Sequence, residues 1–284
     1  MLSTRSLQES TTDSVTPMST LRRRIVVGGH SVRLHESGAA EGSGALTYLL
    51  VHGIGMSHRY LSPLHDALPD DAHIVSIDLP GFGGLPKPKD DLDVPAMGGL
   101  IGELMAVLGI TRCVLIGHSM GVQWAIEAAR SQPARVECVV LIGPVVDDRH
   151  RSLGAQSRAL AVDTLGESPA ANAVVFTDYL RCGIPWYLTQ ARHMVAYPTE
   201  DGILGVSAPV LIVRGSDDPV AGPEWCRRLR SLASDGSLVE LKGQHNVQYS
   251  APDDVAAAIE RHSAVGVTTA SIARRRDGSA TSTS

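Results

Sequence analysis

The stretch VLIGHSMGVQWAIEAA (114–129) passes from a strand pattern to a helix pattern with almost no loop between them. The apolar run that ends at Gly117 is typical of a buried strand, and the residues after Gly121 have helical spacing. Ser119 stands midway between the two glycines. In a G-x-S-x-G corner of this kind the serine has strained backbone angles and its hydroxyl stands clear of the sheet. The stretch therefore predicts an exposed nucleophile, and the N-terminus of the following helix favours negative charge beside it.

A second kind of strand-to-helix corner binds phosphate, and this sequence does not favour it. Phosphate-binding turns carry G-x-G-x-x-G, or G-x-x-x-x-G followed by Lys and then Ser or Thr. The glycines at 117–121 are spaced differently, and no lysine follows them. Nucleotide binding is therefore not predicted.

Short apolar runs alternate with helical patterns along most of the chain. Strands are predicted at 47–53, 73–81, 112–119, 136–144, 208–218 and 237–245. Helices are predicted at 93–109, 120–131 and 252–262. The first of these helices has Asp93 as its N-cap and Gly109 as its stop. The predicted fold class is therefore α/β, with a mostly parallel central β-sheet that is covered by helices on both faces.

The chain divides into a core, an insertion and two terminal segments. The segment 145–206 has no clear strand and many turn residues, so it is predicted to be a small, mainly helical cap. The core is predicted to comprise 21–144 and 207–262. The stretches 1–20 and 263–284 are rich in Ser or Thr and lack periodicity, which predicts a disordered leader and a disordered tail.

Aromatic residues make up only 4% of the chain, yet the cap segment contains Phe176, Tyr179, Trp186, Tyr187 and Tyr197. A small helical insertion needs a core of its own, and aromatic rings also suit the wall of an apolar substrate pocket. The sequence does not separate these two interpretations. We take the first four of these residues, together with His118 inside the corner motif, as candidate substrate contacts.

The overall composition argues against several classes of protein. The formal net charge is −5 and the isoelectric point is about 6.1, whereas a nucleic-acid-binding protein needs a basic face. No run approaches the roughly 18 apolar residues of a membrane span. The first twenty residues lack the apolar region of a secretory signal. We expect a soluble, cytoplasmic protein that acts on a small molecule, and the oligomeric state stays open.

The metal-ligating residue types do not form a metal motif. The chain has 11 histidines, but none of them occurs in an HxH or HExxH pattern. His58 and His65 could share a helix face, but two ligands are too few for a zinc site. The 4 cysteines are widely scattered, with no CxxC pair. Neither a metal nor a cofactor is predicted.

A serine hydroxyl is a weak nucleophile until a base takes its proton, and the base needs an orienting carboxylate. In an open α/β sheet these partners follow later strands, outside the carboxyl ends. LIVRGSDDPV (211–220) places two acids at the end of one predicted strand. LVELKGQH (238–245) places His245 after the next.

Five motifs in this order resemble those of α/β-hydrolase-fold enzymes with a cap. They are HGIG (52–55), DLPGFGG (78–84), GHSMG (117–121), GSDDPV (215–220) and GQH…AP (243–252). The resemblance implies that Ser119 is the nucleophile, His245 the general base and Asp218 the acid, with Asp217 as the alternative acid. It also implies an oxyanion hole formed by the backbone N–H groups of Ile54 and Met120. The family usually has the histidine directly after the glycine, whereas Gln244 intervenes here.

The resemblance implies a serine hydrolase that acts on a carboxylic ester, or a related carbonyl compound, through an acyl-enzyme. A serine at the corner favours attack on a carbonyl carbon over attack on saturated carbon, for which related enzymes use an aspartate. C–C bond hydrolysis and acyl transfer use the same triad, and a small-molecule receptor with slow turnover would also retain it. The sequence leaves these alternatives open.

Overall fold

The computed structural model describes residues 20–41 and 43–263. The predicted leader lies outside the described residues except for Thr20, which is exposed. The predicted tail also lies outside them except for its first residue. Ser263 is buried and is the last described residue of a helix that begins at residue 252.

The centre of the protein is an eight-stranded sheet in the order β1-β2-β4-β3-β5-β6-β7-β8. The strands are β1 (Leu21–Val27), β2 (His30–Gly38), β3 (Thr47–Val51), β4 (His73–Asp78), β5 (Cys113–His118), β6 (Val136–Ile142), β7 (Val210–Gly215) and β8 (Gly236–Leu241). The six strands β3 to β8 are parallel to one another. At one edge of the sheet, β2 pairs antiparallel with β4, and β1 pairs antiparallel with β2. The α/β class and the mostly parallel sheet are therefore as predicted.

Helices cover both faces of this sheet. They are α1 (Ser62–Ala67), α2 (Val94–Val107), α3 (Gly121–Ser131), α4 (Leu153–Gly166), α5 (Pro169–Cys182), α6 (Ile184–Ala196), α7 (Thr199–Leu204), α8 (Pro223–Leu232), α9 (Val247–Ser250) and α10 (252–263). Helices α4 to α7 lie between β6 and β7 and occupy the segment assigned to the cap. Within the described ranges, no helix is long and apolar enough to cross a membrane.

The first strand of the sheet is a feature that the sequence did not predict. The strand β1 was not predicted, because its sequence LRRRIVV contains three consecutive arginines and resembles neither a buried run nor a clean alternation. Most of its side chains are exposed or half-buried. Charged side chains are typical of edge strands, where they prevent further strand pairing. Its hydrogen bonds to β2 hold it in an extended conformation, which its own sequence did not indicate.

The strand β3 shows how the core is built on two faces. Leu49 and Val51 point into the cluster beneath α2 and α3, whereas Tyr48 and Leu50 point into the cluster beneath α1 and α10. This alternation follows from the two-residue period of a strand. Each fully buried Leu or Val contributes about 1.5–3 kcal/mol to stability. The continuous apolar runs of the sequence are therefore explained by burial on both faces.

The corner at Ser119 depends on the absence of side chains at both glycines. A Cβ added to Gly117 would overlap the backbone carbonyl of Gly121. A Cβ added to Gly121 would lie 2.5 Å from the backbone oxygen of His52 at the end of β3. Backbone atoms of the sheet and helix cannot move far without breaking their hydrogen bonds. The turn therefore needs glycine at both positions.

We expect the substitution Gly117→Ala to destabilise the protein by about 1–3 kcal/mol, because the new methyl group overpacks against backbone. The melting temperature, measured by circular dichroism, should fall by about 2–10 °C. Gly99→Ala in α2 is the matched control, since a Cβ there meets nothing within 4 Å. It should raise stability by about 0.5–1 kcal/mol through helix propensity. Equal melting temperatures for the two variants would contradict this account of the turn.

Candidate active site

Ser119 occupies the tight turn between β5 and α3. Its φ is 57°, in the left-handed region that a residue with a side chain seldom adopts. Such a conformation costs about 1–3 kcal/mol and persists only where the surroundings enforce it. Its N–H donates to the carbonyl oxygen of Ile142 at 2.9 Å, which ties the turn to β6. The strain and the hydrogen bond together fix the position of the Ser119 hydroxyl.

Three side chains that are distant in the sequence meet at this turn. The Ser119 Oγ lies 3.1 Å from His245 Nε2, and His245 Nδ1 lies 2.9 Å from Asp218 Oδ2. The carboxylate accepts, so Nδ1 carries the proton and Nε2 is left to accept from the serine hydroxyl. All three residues are buried. A hydroxyl, an imidazole and a carboxylate in this order can move a proton away from the serine as it attacks.

The His245 imidazole and the Asp218 carboxylate each stabilise the charged form of the other. Burial alone would lower the pKa of His245, but the adjacent Asp218 carboxylate and its hydrogen bond outweigh burial and raise that pKa above 6.5. Burial would raise the pKa of Asp218, but the charge and hydrogen bond of His245 lower it. The N–H groups of Val220 and Ala221 also donate to Asp218 Oδ1, at 2.7 and 3.0 Å. Asp218 is therefore held ionised beside the imidazole.

The structure distinguishes the two acids that the sequence offered. Asp217 is exposed, and its carboxylate contacts the Ser216 hydroxyl at 3.3 Å. Asp218 is buried and bonded to the imidazole. Of these two acids, Asp218 is the one whose carboxylate contacts the His245 imidazole.

The loop after β3 runs along the other side of Ser119. A Cβ added to Gly53 would lie 2.9 Å from the Cβ of Ser119, so the backbone passes directly beside the hydroxyl. Ile54 follows Gly53 and lines the cavity in front of Ser119. Met120 is buried and is the N-cap residue of α3. Ile54 and Met120 thus belong to the two backbone segments that lie beside Ser119, and their role as oxyanion-hole donors stays a prediction.

A chain of hydrogen bonds joins this loop to His245. The Gly53 N–H donates to the Tyr60 hydroxyl at 2.7 Å, and that hydroxyl donates to His118 Nδ1 at 2.7 Å. The Nε2–H of His118 then donates to the backbone oxygen of His245 at 3.0 Å. Burial, followed by the charge of His245, lowers the pKa of His118 to about 3. His118 is therefore neutral and positions two loops around Ser119.

A cavity of about 270 Å³ opens in front of the Ser119 hydroxyl, between the sheet and the cap. Its apolar wall comprises Ile54, Met56, Val145, Leu160, Ala161, Val175, Tyr179, Tyr187 and Met194. Its polar lining comprises Tyr60, His118, Ser119, Gln156, Ser157, Asp163, Thr164, Asn172, His245 and Asn246. Among these described residues there is no Arg or Lys, and Asp163 is the carboxylate.

The structure places three of the five candidate substrate contacts at the cavity and two away from it. His118, Tyr179 and Tyr187 line the cavity. Phe176 does not line it, because its side chain faces outward from α5 and is 63% exposed. Trp186 is buried but packs on Phe82 instead of lining the cavity. The aromatic content of the cap therefore serves its packing as well as the pocket.

The C-terminal turn of α4 lies against the loop that carries His245. Asp163 Oδ1 accepts from the His245 N–H at 2.8 Å, and Glu167 Oε1 accepts from the Asn246 N–H at 3.0 Å. The side chain of Gln244 packs where a Cβ on Gly166 would stand. Burial raises the pKa of Asp163 to about 6, against the opposing effect of His245. The cap thus contacts the imidazole-bearing loop directly.

Sequence reasoning missed Gly143, Tyr60 and Asp163 at this site. Gly143 follows β6 with φ of 56°, and a Cβ there would lie 2.9 Å from His245 Cε1. A glycine at the end of a predicted strand was the signal available for Gly143, since strand ends form this edge of the sheet. Tyr60 and Asp163 lie in segments without a recognisable motif, so only the fold brings them here.

The histidines and acids of the site do not form a metal centre. No group of three or more His, Cys, Asp or Glu side chains is arranged to hold a metal ion within the described residues. The polar atoms around Ser119 are instead engaged with one another. The hydrogen bonds from Ser119 through His245 to Asp218 can carry a proton away from the Ser119 hydroxyl.

Some curated proteins are similar to this chain over part of their length, and others over nearly all of it. The chain is 34% identical to an uncharacterised protein of Mycobacterium tuberculosis over 121 residues, which cover 40% of this chain and 36% of that protein. It is 26% identical to the 2-(acetamidomethylene)succinate hydrolase of Mesorhizobium japonicum over 267 residues, which cover 84% of this chain and 94% of the hydrolase. The first match thus spans about a third of the relative's length, whereas the second spans nearly all of it.

Solved structures share the fold, and the family match covers most of the chain. The enol-lactonase from Burkholderia xenovorans superposes with a TM-score of 0.73 at 20% identity, covering 84% of this chain and 99% of that one. This likeness shows the fold alone. Residues 48–258 match the alpha/beta hydrolase family. The sheet, the strand-to-helix turn and this match agree, and the chain belongs to the alpha/beta hydrolase family.

Proposed function

We propose that this protein is a serine hydrolase that cleaves an uncharged carboxylic ester through an acyl-enzyme. The observation that carries the proposal is the chain of hydrogen bonds from Ser119 through His245 to Asp218. The Ser119 hydroxyl faces the cavity of about 270 Å³. Membership of the alpha/beta hydrolase family and the hydrolase name of the Mesorhizobium relative support a hydrolase.

In the first step Ser119 Oγ attacks the ester carbonyl carbon, and His245 Nε2 takes the hydroxyl proton. The carbonyl oxygen becomes an oxyanion beside the N–H groups of Ile54 and Met120. Loss of one such donor typically costs about 3–4 kcal/mol of transition-state stabilisation. The tetrahedral intermediate then expels the alcohol, which leaves with the proton from His245. The product of this step is an acyl group on Ser119.

In the second step a water molecule replaces the alcohol. His245 takes one proton from the water as its oxygen attacks the acyl carbon. The second tetrahedral intermediate collapses, the carboxylic acid leaves, and the proton returns to Ser119 Oγ. Asp218 stays ionised throughout and stabilises the imidazolium that forms in each step. An acceptor alcohol in place of water would give acyl transfer through the same intermediate.

The lining of the cavity supports a small, uncharged acyl group. Its volume of about 270 Å³ lies just below the usual range of ligand pockets, which begins at about 300 Å³. The wall near Tyr179 and Tyr187 is apolar, and the charged group facing it from the cap is the Asp163 carboxylate. A succinate group, as in the name of the Mesorhizobium relative, would bring anionic carboxylates. We therefore propose a substrate that differs from that relative's in charge.

The nucleophile is tested by the substitution Ser119→Ala. A fluorophosphonate probe should label the wild-type protein at Ser119, as read by peptide mass spectrometry, and labelling should disappear on heating. The S119A protein should lose the probe adduct and about 10⁴-fold or more of its activity on short p-nitrophenyl esters. Ser231→Ala on the outer side of α8 is the control and should keep both. An S119A enzyme that hydrolyses these esters at the wild-type rate would refute the mechanism, and efficient labelling with negligible ester turnover would favour a receptor.

The acid is tested by comparing Asp218→Asn with Asp217→Asn. D218N replaces the oxygen that orients His245, and a substitution of this type in a serine triad lowers kcat by about 10⁴-fold. D217N changes an exposed neighbour and should stay within about 2-fold of the wild type. Steady-state kinetics with one ester measures both variants. The reverse ranking would assign the acid to Asp217.

Substrate charge is tested with 4-nitrophenyl succinate and its methyl ester, which differ by one carboxylate. The neutral diester should have a kcat/KM about 10²-fold higher at pH 8, because the anion would face Asp163 without a cationic partner. An ester series of increasing acyl length should show an optimum at short chains. A preference for the anionic ester would contradict the proposed substrate class.

A further inference from the structure

We infer that Asp163, a residue of the cap, is a positioning residue for the catalytic histidine, and that it acts together with Glu167 by holding the His245 loop beside Ser119. The inference rests on the proposed function, because it concerns the base of that triad. Its physical basis is a pair of carboxylate-to-backbone hydrogen bonds that neither the motifs nor the comparisons indicate.

The backbone of His245 is held from two opposite sides. The ring of His118, the last residue of β5, donates to its carbonyl oxygen at 3.0 Å. The Asp163 carboxylate, from α4, accepts from its N–H at 2.8 Å. With both polar groups of one residue engaged, rotation of the peptide planes on either side of it is restricted. The direction of the imidazole toward Ser119 and Asp218 is therefore set partly by the cap.

The neighbouring residues extend this contact along the loop. Glu167 stands one helical turn after Asp163 and accepts from the Asn246 N–H. Between them Gly166 leaves room for the side chain of Gln244, which rests on α4. Gln244 is the residue that departs from the usual family pattern. The extra residue before the histidine is thus matched by the surface of the cap.

Asp163 also places a second negative charge near the imidazole. It is only 4% exposed, and no Arg or Lys lines the cavity among the described residues, so its charge is weakly screened. A buried carboxylate stabilises the imidazolium form of His245 and thereby raises its pKa, in addition to the larger effect of Asp218. The titratable groups that face this region are Asp163, Glu167, Asp218, His118, Tyr60 and Tyr179.

The ionised form of Asp163 lowers the stability of the folded protein, which supports a role for this residue in activity. The pKa of Asp163 is raised, so its ionised form disfavours folding above pH about 6 and this penalty disappears as the carboxyl is protonated at lower pH. An asparagine would keep an oxygen for the His245 N–H without the charge. A buried carboxylate that has a raised pKa and lies beside the base is typical of an active site.

The test compares Asp163→Asn and Asp163→Ala in the full chain, with kcat and kcat/KM measured from pH 5 to 9. D163A removes the acceptor, so kcat should fall by about 10²-fold with KM nearly unchanged, as expected for a displaced base. D163N keeps the acceptor and should restore most of kcat at high pH. Because it removes a charge that favours imidazolium, its acid limb in kcat/KM should move down by about 0.5–1 pH unit.

Two further variants complete the comparison. Asp201→Asn removes a carboxylate from an exposed position of the same cap, on α7, and should leave the kinetics unchanged. Glu167→Ala should lower kcat in the same sense as D163A, by a smaller factor, because it frees the Asn246 N–H only. Thermal unfolding should show that D163N is at least as stable as the wild type at pH 8.

The outcomes separate this inference from the proposed function. A D163A enzyme with the kcat and the acid limb of the wild type overturns the inference alone, provided that S119A is inactive in the same assay. An active S119A enzyme overturns both. If D163A does not fold, a wild-type acid limb in D163N together with a wild-type kcat in E167A overturns the inference. Parallel losses of melting temperature and kcat in D163N would make Asp163 a structural residue and also overturn it.

Discussion

The structure of the site depends on one close approach of backbone to backbone. The strand β5 and the helix α3 meet with Gly117 against Gly121, and Gly121 in turn against the end of β3. No side chain fits between them, so the turn has only two residues outside the strand and the helix. Ser119 is consequently forced into a left-handed conformation, and its hydroxyl projects toward the cavity. Everything else at the site is arranged around an oxygen whose position this packing fixes.

Local sequence patterns predict those features that local packing determines. The buried strands, the α2 helix with its Asp93 cap and positive-φ Gly109, and the Ser119 turn were readable because each follows from periodicity or from a steric requirement. The strand β1 was not, since its pairing with β2 decides its conformation against a charged sequence. The outward direction of Phe176 was equally unreadable, because a helix in an insertion has no reference face until its packing is known.

The site shows the same division between motif and fold. Ser119, His245 and Asp218 each stand in a recognisable motif, and the distances of 3.1 and 2.9 Å between their polar atoms show that the fold brings them together. Tyr60 and Asp163 stand in none. Their side chains reach His118 and the His245 backbone only because separate parts of the chain converge at the carboxyl ends of the strands. A single sequence contains no local trace of such contacts.

The carboxylates around the imidazole differ in how far the protein compensates their burial. Asp218 receives two backbone N–H donors and the imidazole, and its pKa is lowered. Asp163 receives one backbone N–H, and burial raises its pKa to about 6. A purely structural contact would need no charge at this position. The negative charge of Asp163 has two uses at this position. It stabilises the imidazolium form of His245, and it repels an anionic substrate. The cap would then contribute to both the base and the selectivity of the site through a single side chain.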